Sequence, residues 1–76
     1  MKHSMNIYQV NPRHVKIGPV FANDVKRQKE RLEKEGQIEP VEVLPDLTVH
    51  PEAWAYAEAQ IQAARDLGWD TILVTY

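Results

Sequence analysis

Apolar and polar positions alternate over Asn6-Ile7-Tyr8-Gln9-Val10 and stop at Asn11-Pro12, a strand followed by a turn signal. Residues 13–21 carry Val15, Ile17, Gly18, Pro19 and Phe21 without a sustained period, which predicts a loop pinning a few side chains into a core. Asn23 reads as an N-cap, and Asp24 suits the positive end of the helix that follows. This helix runs to about Glu35 and stops at Gly36, a residue suited to left-handed backbone. Its apolar face is thin, with Val25, Leu32 and the stems of long side chains, so it is expected on the surface.

Alternation resumes over Glu39–Leu44, with Val41 and Val43 on one face and Pro40, which lacks an N–H, at the strand start. Pro45-Asp46 is turn chemistry, and Leu47-Thr48-Val49 can return as a short hairpin partner. A second helix is predicted from Pro51 to about Leu67, with Trp54, Ala57, Ile61, Ala64 and Leu67 at helical spacing and Gly68 ending it. Thr71–Tyr76 then reads as a buried central strand. The order is β-α-β-β-α-β: an α+β fold with a small mixed sheet and two main helices. One domain spans residues 1–76, with 1–5 read as a disordered or tag-derived leader.

Composition narrows the function classes. The 76 residues contain no cysteine, which excludes a disulfide framework, a thiolate metal site and a cysteine nucleophile. No apolar run is long enough to span a membrane, and Met1-Lys2-His3-Ser4-Met5 is too polar for a signal peptide, so the cytoplasm is the expected location. The net charge of −2 argues against coating nucleic acid by bulk charge. That total conceals an asymmetry. Residues 1–34 hold eight Lys/Arg and three Asp/Glu, a balance of +5; residues 35–76 hold one Arg and eight Asp/Glu, a balance of −7.

The segment Glu35-Gly36-Gln37-Ile38-Glu39-Pro40-Val41-Glu42-Val43 resembles the first box of ParB N-terminal domains: a helix ending in Gly, then Ile, then Pro opening a strand. Ala63-Ala64-Arg65-Asp66-Leu67-Gly68, followed by an Ile/Val strand, is similar to the end of the same domain, and Ile7–Val15 with its Asn-Pro sits where the family begins. The resemblance implies a ParB/sulfiredoxin-like fold and places family box positions on Gly36, Gln37 and Pro40. It also implies a plasmid, phage or other mobile-element setting. Relatives that bind or hydrolyse nucleotides carry a Gly-Glu-Arg-Arg box before the second helix. Here the corresponding stretch is Ala57-Glu58-Ala59-Gln60, where only the Glu matches; an alternative alignment on His50-Pro51-Glu52-Ala53 also lacks Arg. The sulfiredoxin branch needs a cysteine, and relatives that segregate DNA carry a helix-turn-helix domain after this one; neither feature stands within these 76 residues.

The residues themselves agree with a lost phosphate site. Pro51 removes an N–H at the expected helix start, and Glu52 repels anions. No cofactor or metal is therefore expected, and His3, His14 and His50 show no ligand spacing. Arg13, Lys16, Lys26, Arg27 and Arg31 could touch a phosphate backbone, but Lys26/Glu30, Lys29/Glu33, Glu30/Lys34 and Arg31/Glu35 are (i, i+4) pairs that favour a self-paired, solvated face. Glu52, Glu58 and Asp66 could form an acidic interaction face, and Trp54, Tyr56 and Trp69 could stack on bases, although core packing suits Trp54 and Trp69 better. Glu58 and Arg65 are the catalytic candidates that remain.

The reading is a non-catalytic ParB-like binding or regulatory module with a protein partner. A minimal nuclease or nucleotide hydrolase using Arg13, Arg27 or Arg65, and an acidic inhibitor of a DNA-binding protein, are the alternatives. Open sheet edges in so small a domain also suggest a homodimer.

Overall fold

The computed structural model describes residues 6–76; the leader assigned to 1–5, with Lys2 and His3, lies outside them. The elements are β1 (Ile7–Val10), a 3₁₀ turn (Pro12–His14), α1 (Ala22–Glu35), β2 (Val41–Glu42), α2 (Ala57–Asp66) and β3 (Ile72–Thr75). Val49 bridges Val43 antiparallel and Thr48 bridges Lys16, so the second member of the middle strand pair survives as single bridges. The α+β fold and the β-α-β-β-α-β order stand as expected.

β3 is the apolar run of the C-terminal region, and it takes the centre of the sheet, with order β1-β3-β2. β1 pairs with it antiparallel, Ile7 opposite Thr75 and Val10 opposite Ile72. β2 pairs parallel, Val41 opposite Val74. Val41, Val43, Ile72 and Val74 are all buried and meet Ile61, Ala63 and Ala64 of α2. Alanines give α2 a flat, small-residue surface on which α1 packs through Val25, Gln28 and Leu32.

Both helices end as predicted. Gly36 (φ +75°) and Gly68 (φ +76°) take the left-handed conformation that other residues resist. The Gly36 N–H closes on Leu32 O, and the Trp69 N–H on Ala64 O (3.0 Å). Trp69 packs against the core, as expected.

The helix starts differ from expectation. α1 begins at Ala22, capped by the extended Phe21, whose carbonyl accepts the Val25 N–H at 3.0 Å; Asn23 sits inside the first turn and caps nothing. α2 begins at Ala57 rather than Pro51. The reason is local hydrogen bonding: His50 Nδ1 captures the Glu52 N–H at 2.9 Å, and the Ala53 N–H closes a turn on His50 O. Residues 51–56 therefore form turns ahead of the helix. Trp54, expected on the helix's buried face, is 48% exposed.

Candidate functional site

The two catalytic candidates hold the chain together instead of facing a common cavity. Glu58, in the first turn of α2, accepts the Gly18 N–H at 2.8 Å, forty residues away in sequence. Arg65, in the last turn, donates Nε–H to Pro12 O (3.0 Å) and a terminal N–H to Val15 O. Together they tie the segment between β1 and α1 onto α2. Glu58 is thus a tether, its carboxylate turned to Gly18. Among the described residues, no three His, Cys, Asp or Glu side chains gather to hold a metal ion.

The family box positions have structural duties as well. Gly36 terminates α1. Gln37 acts as a surrogate strand residue: its Oε1 accepts the Leu73 N–H at 2.7 Å, and its Nε2 donates to Leu73 O (2.9 Å) and Glu39 O (3.1 Å). Pro40 precedes β2, where its missing N–H costs nothing.

The expected charge patches are dispersed. Among the described residues, Arg31–Glu35 (3.6 Å) is the single (i, i+4) pair that closes; the others stay apart in solvent, where such pairs are worth little. Lys26 and Arg27 are exposed on α1, whereas Arg13 lies by the 3₁₀ turn, its guanidinium 3.5 Å from Trp69 O. Lys16 is exposed beside the bridge to Thr48. Glu52 precedes α2, and Asp66 ends it, accepting from Gln62 Nε2 at 2.9 Å; Glu58 is turned to Gly18. Asp46 is held below the usual carboxylate range, first by the Thr48 side chain and then by the Thr48 N–H at 3.0 Å.

What the structure does assemble is a groove of about 810 Å³ between α1, the β2 edge and the turn before α2. Arg31 and Trp54 stand at its mouth, the guanidinium 5.4 Å from the indole centroid, and Tyr56 meets that indole edge-on. Ile38, 57% exposed, and Pro40 form the β2 side, along with Glu39 and Glu42. Gln60 of α2 also lines the groove. It is only 9% exposed, and its side-chain amide has no partner among the described residues, while its backbone N–H follows the helix to Tyr56 O. The amide is not among the fully buried polar atoms, so it offers the groove both a donor and an acceptor.

Sequence reasoning missed both Trp54 and Gln60 as groove residues. A signal for Gln60 existed: it stands three residues after Ala57 and four before Ala64, on the apolar stripe of a helix otherwise buried through alanine and isoleucine. For Trp54 the helical period pointed the other way, and the His50 turn that overrides it shows only in the structure. Compared with known proteins, the chain matches no family model, no curated sequence and no solved structure.

Proposed function

We propose that this protein is a non-catalytic binding module of ParB-like ancestry that holds a protein partner in the groove between α1, β2 and Trp54. The observation that carries this reading is the Gln60 side-chain amide, which has no hydrogen-bond partner among the described residues and lines the groove with exposed Ile38 and Trp54. An exposed aromatic side chain beside a free polar group is characteristic of interaction sites. The occupied hydrogen bonds of Glu58 and Arg65 support a module without chemistry of its own. The mobile-element setting, which rests on the resemblance, and the cytoplasm, which rests on the absence of a long apolar run or signal-peptide pattern in the sequence, belong to the same proposal. No helix among the described residues is long and apolar enough to cross a membrane.

The test is selection of displayed random peptides against the wild type, Gln60→Ala and Trp54→Ala, alongside calorimetric titration with CTP and ATP. Peptides enriched by the wild type and lost on both variants support the reading. Equal enrichment on all three proteins, or nucleotide binding at micromolar concentration, overturns it.

Self-association through β1 is a second part of the proposal. The outward peptide groups of Ile7 and Gln9 have no partner strand among the described residues, and Asn6–Val10 carries no charge to guard that edge. Ile7 is 54% exposed. Sedimentation should show a concentration-dependent dimer that Ile7→Lys abolishes; a monomer at every concentration refutes it.

A further inference from the structure

The β2 edge specifies what kind of partner segment the groove accepts. Val41 and Val43 turn their peptide groups towards β3, with the Val43 N–H donating to Thr75 O at 2.9 Å. Glu42 between them therefore turns its peptide groups outward. Its carbonyl accepts the His50 N–H at 3.0 Å. In a continued antiparallel ladder His50 O would accept the Glu42 N–H in return, but that oxygen takes the Ala53 N–H instead, at 2.9 Å. The same turn that delays α2 thus leaves the Glu42 N–H without an acceptor among the described residues. By the alternation of the strand, the Pro40 carbonyl faces the same side, one rung earlier.

One unpaired acceptor followed by one unpaired donor, two residues apart on an edge, is the pattern met by an added strand. The occupant would donate an N–H to Pro40 O and accept the Glu42 N–H through a carbonyl. Charge then selects among extended segments. The exposed Glu39 and Glu42 line the groove, while its one base, Arg31, is already engaged by Glu35 at 3.6 Å and by the Trp54 ring. Two uncompensated carboxylates beside an indole favour a cationic occupant.

We infer that the groove takes an extended, basic peptide segment of a partner protein, added as a strand beside β2 with its Lys or Arg side chains at Glu39 and Glu42. The inference rests on the binding-module reading and goes further by assigning the segment's backbone geometry and charge.

The probes are three short synthetic peptides with alternating Lys/Val, Gln/Val and Glu/Val, titrated into ¹⁵N-labelled protein. The Lys/Val peptide should shift the Glu42 amide and the Gln60 side-chain amide, bind about tenfold more tightly than Gln/Val, and weaken with salt. Replacing both carboxylates, Glu39→Lys with Glu42→Lys, should reverse the order in favour of Glu/Val; both sites are exposed, and an unchanged melting curve verifies the fold. A Lys/Val peptide N-methylated along its backbone should lose binding, since it can neither donate to Pro40 O nor lie flat on the edge. Equal binding of all three peptides in the groove overturns the charge assignment while leaving the module standing. Undiminished binding of the N-methylated peptide overturns the added strand. Failure of every peptide to move Glu42 or Gln60, when displayed peptides also show no dependence on Trp54, removes both.

Discussion

Gln37 is the sharpest test of how the sheet is held. Its side chain makes three hydrogen bonds, two of them to both peptide groups of Leu73 in the central strand. Replacing it in Gln37→Leu keeps the volume but leaves the Leu73 N–H and C=O facing a hydrocarbon. The two part-buried bonds contribute roughly 1 kcal/mol each, and the uncompensated peptide groups add to the loss, so the expected cost is about 2–3 kcal/mol. A domain of this length is stable by roughly 4–11 kcal/mol, which makes one glutamine a substantial fraction of the whole. The melting temperature should fall by roughly 10–20 °C. Urea unfolding should show a lower midpoint at unchanged slope, and native-state hydrogen exchange should show the Leu73 amide losing protection ahead of Val74. The Gln37→Glu variant separates hydrogen bonding from packing. Its carboxylate can still accept from the Leu73 N–H but faces two carbonyl oxygens, which raise its folded-state titration above the unfolded value, so stability relative to the wild type should recover as pH falls towards about 4 and level off below it. A loss under about 0.5 kcal/mol in Gln37→Leu, with Leu73 still protected, would refute the surrogate-strand role.

Arg65→Ala should cost about 2–3 kcal/mol by releasing Pro12 O and Val15 O, and Arg65→Lys should restore less than half, since an ammonium cannot span both carbonyls; urea titration of the three proteins checks this. Gln28 is 6% exposed with Oε1 unpartnered, so Gln28→Met should stabilise by about 1–2 kcal/mol, and a destabilised variant would show that the amide has a partner in solution. For Asp46 the folded-state carboxyl titrates below its unfolded value, so its contribution is complete above about pH 4 and disappears as pH falls through the lower folded value. The stability difference between wild type and Asp46→Asn should accordingly shrink on acidification, and a gap that widens below pH 4 would contradict the Thr48 hydrogen bonds.

The local pattern of residues determined the order of elements, the burial of β3 and the two glycine-terminated helix ends. Period-two alternation, period-3.6 spacing and left-handed glycine act over a few neighbouring residues, so they are legible without knowing the fold. Nearby contacts also overrode them: the His50 ring and the turn at Ala53 displaced the start of α2 and turned Trp54 outward, against a periodicity that favoured the helix. Only the tertiary structure decided the duties of Gln37, Glu58 and Arg65, because each meets backbone between 36 and 53 residues away. A polar side chain in a sequence shows what it can donate or accept, and packing decides whether a partner is there. Glu58 and Arg65 found theirs within the chain; among the described residues the Gln60 amide and the Glu42 N–H did not, which is why the groove they line, and not the Glu58 and Arg65 positions, is the candidate site.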